Sequence, residues 1–124
     1  MGAILWVGMG GFVGANVRYL LDVWVTNRWP SFFPWGTFII NLSGSFILGF
    51  FLAFAQDRPW ISQGSRLLFA VGFVGAYTTF STYTYQSLRL VQGGEIAIAA
   101  LYIIGSVVFG LIAAFAGVAL GNSM

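Results

Sequence analysis

No charged side chain stands between Trp29 and Gln56, between Leu67 and Leu88, or from Ile96 to Met124. Uncharged runs of this length leave one solvent open to them. A helix needs about 20 predominantly apolar residues to cross a bilayer, and inside hydrocarbon every backbone N–H and C=O must be satisfied within the chain, which favours helices. Hydrophobic residues make up 59% of the 124 and charged residues only 6%, with a mean hydropathy of +0.90, so there is too little polar surface to coat a soluble domain. The chain reads as an all-α integral membrane protein.

Charges and turn residues divide it into four spans. The first runs to about Val25, with Arg18 and Asp22 spaced i,i+4 near its far end. Its first arginine follows the apolar run instead of preceding it, so the segment reads as a span and not as a cleaved signal peptide. Thr26 to Ser31 forms a loop, Pro34 suits the first turn of a second helix reaching about Gln56, and Asp57-Arg58-Pro59 ends that helix. A third span covers about Arg66 to Leu90, Gln92-Gly93-Gly94 makes a turn, and a fourth covers about Ile96 to Leu120. No internal repeat or soluble domain interrupts this plan, so residues 1–124 form a single four-helix transmembrane domain.

Composition also excludes functions. Cysteine and histidine are both absent, which removes thiolate and imidazole metal sites, Cys or His nucleophiles and histidine proton relays. The chain is not expected to be an enzyme. Its pI near 9.4 arises from five arginines against three acids, a small difference with no basic patch for nucleic acid.

The arginines carry almost no topological bias. Arg18, Arg28 and Arg89 fall on one side, and Arg58 and Arg66 fall on the other with the terminal amine. A chain without a preferred orientation can insert both ways, and two opposed copies resemble the inverted repeats of larger transporters. An antiparallel dual-topology homodimer is therefore expected. Small residues four apart, such as Gly10 and Gly14 or Gly117 and Gly121, let helix backbones approach.

Polar residues at membrane depth fall on three helices. Thr37, Asn41 and Ser45 make one stripe on the second, beside Gly44; Tyr102, Ser106 and Gly110 make another on the fourth. On the third, Phe80, Tyr83 and Ser87 share a face flanked by Thr79 and Gln86, within a hydroxyl-rich run that follows Gly72 and Gly75. Any one stripe is explained as hydrogen-bonding glue between helices. Three stripes with a glycine-weakened segment read as a pathway. No Asp or Glu lies in mid-span to draw cations or carry protons, whereas hydroxyl and amide donors and positive ring edges suit a small, strongly hydrated anion.

These motifs resemble the Fluc/CrcB fluoride channels over essentially the whole chain. They are the Gly-Gly-x-x-Gly-Ala-x-x-Arg-Tyr segment at Gly10 to Tyr19, Gly36-Thr37-x-x-x-Asn41-x-x-Gly44-x-Phe46, and Gly75-x-x-Thr78-Thr79-Phe80-Ser81-Thr82. The resemblance implies a third helix broken near its middle, a dual-topology homodimer with two antiparallel pores lined by both subunits, and passive fluoride export that protects a prokaryotic cell from fluoride across its inner membrane. It implies Phe80 and Tyr83 as the paired pore aromatics, Asn41 as the essential asparagine, Thr37, Tyr102 and Ser106 as the polar track, and Arg18 as the first-helix arginine. The hydroxyls of Thr79, Ser81 and Thr82 belong with the pore. It further implies a structural sodium ion (Na+) at the dimer centre, held by the main-chain carbonyls of Gly75 and Thr78 from both chains. Partners are fluoride, a second copy and membrane lipid, with no nucleic acid.

Three positions depart from the family pattern: Tyr83 for phenylalanine, Gln86 for glutamate, and Gly110 for a hydroxyl residue. A proton-coupled exporter of the small multidrug resistance type shares the four-helix plan but needs a first-helix carboxylate, which residues 1–21 lack. A structural membrane subunit without transport is the other alternative.

Overall fold

The computed structural model describes residues 2–124, and they form helices and short connections throughout. Helix α1 spans Gly2–Arg28, α2 Trp35–Ala55, α3 Gln63–Arg66, α4 Gly75–Tyr77, α5 Phe80–Gln92 and α6 Ile96–Ser123, with a π-helical stretch, π1, at Leu67–Val74 joining α3 to α4. Three of these, α1, α2 and α6, are each long and apolar enough to cross a membrane. The third expected span is two helical rods, residues 63–77 and 80–92, meeting at an extended joint.

Local chemistry sets the ends. Helix α1 continues to Arg28, past the expected Val25, because nothing in Thr26–Arg28 opposes it; Pro30 biases Trp29 away from helical geometry. Ser62 caps α3 by accepting from the Ser65 N–H at 3.1 Å, which moves that start ahead of the expected Arg66. After α5 the chain reverses through Gly94 at φ 81°, a left-handed conformation suited to glycine. There the Glu95 N–H bonds the Leu90 carbonyl at 2.9 Å, closing the helix end.

The two rods of the broken helix have different neighbours. Residues 63–77 lie along α1, whereas α5 lies against α6, and α2 and α6 pack along most of their length. Glycines make the close pairs possible. A Cβ at Gly10 or Gly14 would strike the backbone carbonyls of Leu68 or Phe73, and one at Gly117 would strike that of Phe46 on α2. At one end of the molecule, Arg58 stacks 3.8 Å over the Phe54 ring and donates to the Met124 carbonyl at 2.7 Å, while Arg66 donates to the Ile61 and Arg58 carbonyls.

Candidate functional site

The joint of the broken helix is two residues of extended backbone: Thr78 at φ −82°, ψ 159° and Thr79 at φ −149°, ψ 116°. Such a joint interrupts the helical ladder and leaves N–H and C=O groups without their helical partners. Side chains from three elements answer for them. Asn41 on α2 faces Thr79 with both ends of its amide: Oδ1 accepts from the Thr79 N–H at 2.9 Å, and Nδ2 donates to the Thr79 carbonyl at 3.1 Å. Thr79 caps α5 through Oγ1, which accepts from the Thr82 N–H at 3.2 Å and donates to the Thr82 hydroxyl at 3.0 Å. Arg18 on α1 donates from Nε to the Ala76 carbonyl at 3.1 Å.

Two further contacts brace the joint. The Tyr77 and Ser43 hydroxyls share a hydrogen bond of 2.8 Å, and the Tyr77 ring ends a stack with Phe73 and Phe69 at centroid spacings of 5.8 and 5.5 Å. Gly44 admits Thr78, since a Cβ there would run into the Thr78 methyl. Ser43 lies off the Thr37, Asn41, Ser45 stripe and escapes sequence reading; its only signal is that Ser43 and Tyr77 are both polar in apolar surroundings.

Beside the joint lies a groove of about 240 Å³, whose lining includes Asn41, Ser45, Thr78, Thr79, Phe80 and Tyr83. It is open on one side, and Phe80 at its lip is 75% exposed. Its polar groups are neutral amides and hydroxyls. From this lip a file of rings leads inward: Phe80 to Tyr83 at 5.9 Å, Tyr83 to Tyr102 at 5.2 Å, and Tyr102 to Phe33 at 5.4 Å, the last two edge-on. The Tyr83 hydroxyl donates to the Ile103 carbonyl at 2.8 Å, and the Tyr102 hydroxyl to Gln86 Oε1 at 2.8 Å. Gln86 thus serves as the acceptor for the Tyr102 hydroxyl, a role its sequence position does not announce.

The expected site residues therefore divide. Asn41, Thr79, Phe80 and Tyr83 meet at the groove. Tyr102 and Thr37 are buried deeper, at 0% and 2% exposed. Ser106, one turn along α6 from Tyr102, has a buried Oγ without a hydrogen-bond partner among the described residues. Thr82 is engaged with Thr79, and Ser81 is exposed with its carbonyl accepting from the Thr84 hydroxyl. Arg18 serves the backbone of the joint and does not line the groove. Gly75, in helical geometry at φ −60°, ψ −36°, is exposed just ahead of the joint.

Long apolar helices, a helix interrupted by an extended joint and a neutral polar groove beside the interruption describe a helical membrane protein. Residues 5–118 match the family model described as CrcB-like protein, Camphor Resistance (CrcB), and the chain belongs to that family. Its relatives include the protein named Fluoride-specific ion channel FluC of Acidobacterium capsulatum, 42% identical over 118 residues, or 95% of this chain and 94% of that one. Proteins of the same name from Synechococcus sp. and Koribacter versatilis are 45% identical over 116 residues and 48% identical over 91, covering 94% and 73% of this chain and 89% and 72% of theirs.

Proposed function

We propose that this protein is a fluoride-selective channel in a prokaryotic cell's inner membrane, passing fluoride down its electrochemical gradient and so lowering its toxicity. The carrying observation is the groove itself: the second Nδ2 hydrogen of Asn41 and the rings of Phe80 and Tyr83 line it, its hydroxyls donate within the chain, and no carboxylate is among them. Such a surface offers a small anion an amide hydrogen bond and aromatic ring edges in exchange for hydration water without holding it by a fixed charge. The relatives' name, fluoride-specific ion channel, supports the choice of anion.

In this reading the chain crosses the membrane four times, the two rods of the broken helix together making the third crossing. The groove lacks a wall, and the exposed Phe80 at its lip is the surface a second copy would cover. The near-balanced arginines support an antiparallel partner, giving two pores related by the dimer axis. Asn41, Phe80, Tyr83 and the Thr79, Ser81 and Thr82 hydroxyls line each pore, and Thr37, Tyr102 and Ser106 continue the track. Arg18 acts on it by holding the joint.

Sodium at the dimer centre belongs to the same proposal. No cluster of His, Cys, Asp or Glu among the described residues could hold a metal ion, and the joint offers neutral backbone oxygens instead. The joint suits one. In an unbroken helix the N–H groups of residues 79 and 82 bond the carbonyls of residues 75 and 78; here they go to Asn41 and to Thr79 Oγ1. The Gly75 and Thr78 carbonyls are thereby left as hard, neutral oxygen donors, which fit sodium. When bound, the ion would supply positive charge between two facing joints.

The test is fluoride efflux from liposomes containing only this protein. Fluoride should leave with charge movement and without stoichiometric proton exchange. Absence of flux, or a fixed proton coupling, defeats the reading.

A further inference from the structure

Asn41 lines the anion groove and is also bonded to both backbone groups of Thr79, 38 residues away. A carboxamide suits this pairing well, because its oxygen accepts while its nitrogen donates, and the second Nδ2 hydrogen remains for another partner. The bond to Oδ1 has a consequence beyond satisfying Thr79. The N–H that Asn41 takes is the one that would close the helix onto the Gly75 carbonyl. Without an acceptor on α2, that N–H has two fates at membrane depth: it stays unsatisfied, at high cost, or it returns to Gly75.

Resting on the sodium site proposed above, we infer that Asn41 is a positioning residue for that site: by holding the Thr79 N–H it keeps the Gly75 carbonyl free for the cation. One amide thus serves both the groove and the ion site. The Thr78 carbonyl is governed separately, by Thr79 Oγ1 taking the Thr82 N–H. Cation binding should therefore depend on the acceptor at position 41 and not on its donor.

Purified full-length protein in detergent, without fluoride, is heated while sodium is titrated against N-methylglucamine, and the midpoint of the thermal shift gives an apparent sodium affinity. Asn41→Leu keeps the bulk and removes the acceptor. Its affinity should fall at least about tenfold, since the ion must first take each Gly75 carbonyl from an N–H, an exchange worth about one hydrogen bond. Asn41→Asp keeps an oxygen acceptor whether ionised or protonated, and its sodium response should persist.

A wild-type sodium response in Asn41→Leu overturns the inference. So does loss of the response in Asn41→Asp, an arm that stands even if Asn41→Leu fails to fold. A wild-type protein indifferent to sodium defeats the ion site itself, and this inference with it, whereas fluoride efflux from liposomes is judged independently.

Discussion

Tyr83→Phe separates two ways in which a tyrosine can serve an anion. Its hydroxyl is already committed, donating to the Ile103 carbonyl at 2.8 Å, which leaves the ring itself to act on an anion in the groove. Removing the hydroxyl deletes one interhelical hydrogen bond, worth on average about 0.6 kcal/mol in membrane proteins, or a factor of about three in a rate. Tyr83→Ile deletes the ring as well, and with it the contacts to Phe80 and Tyr102. A ring edge is worth about 0.5–1.5 kcal/mol to another ring. A full negative charge gains at least as much from that positive edge, so with the lost hydrogen bond added flux should fall at least about sixfold. The assay is initial fluoride efflux from liposomes, read with a fluoride electrode and normalised to protein that elutes as a single species. Tyr83→Phe should stay within about threefold of wild type and above Tyr83→Ile. If Tyr83→Phe silences the channel, the hydroxyl is the working donor and the ring-edge argument is wrong.

Ser106→Ala removes a buried hydroxyl that has no hydrogen-bond partner among the described residues, so thermal stability should hold within about 0.5 kcal/mol while flux drops; unchanged flux would remove Ser106 from the track. Gly44→Ala drives a methyl into the Thr78 side chain and should cost about 1–3 kcal/mol of stability, seen as a lower unfolding temperature in detergent; a neutral result would mean that the joint tolerates displacement from α2. A cysteine replacing Ser123 in this cysteine-free chain should react about equally with an impermeant thiol reagent from either face of the membrane. Labelling from one face alone would refute dual topology.

The helix ends and the broken span differ in how far the sequence reveals them. Pro30 and Gly94 act on their immediate neighbours, so the connections near them follow from residue type and spacing, whereas the Ser62 cap starts α3 ahead of the expected Arg66. The third span contains Gly72 and Gly75, which weaken a helix locally, yet the joint forms at Thr78 and Thr79. Gly72 serves instead as a contact surface, since a Cβ there would meet the Val7 carbonyl and the Gly10 backbone of α1. The joint forms three residues later because its hydrogen-bond partners lie there, and Asn41 and Arg18 are 38 and 58 positions away from theirs. No local pattern encodes such distances. Asn41 was legible as a polar residue at membrane depth, but its pairing with Thr79 was not. The π-helical turns at Leu67–Val74 left no sequence signal either.

The three side chains that brace the joint from outside its own span, Arg18, Asn41 and Ser43, all precede it in the chain. During synthesis, which delivers the N-terminal part first, α1 and α2 are therefore made before Thr78 and Thr79 emerge. Without them the Thr79 N–H would lose its acceptor on α2 and the Ala76 carbonyl its donor on α1. The interruption thus depends on side chains that the chain makes before it, on α1 and α2.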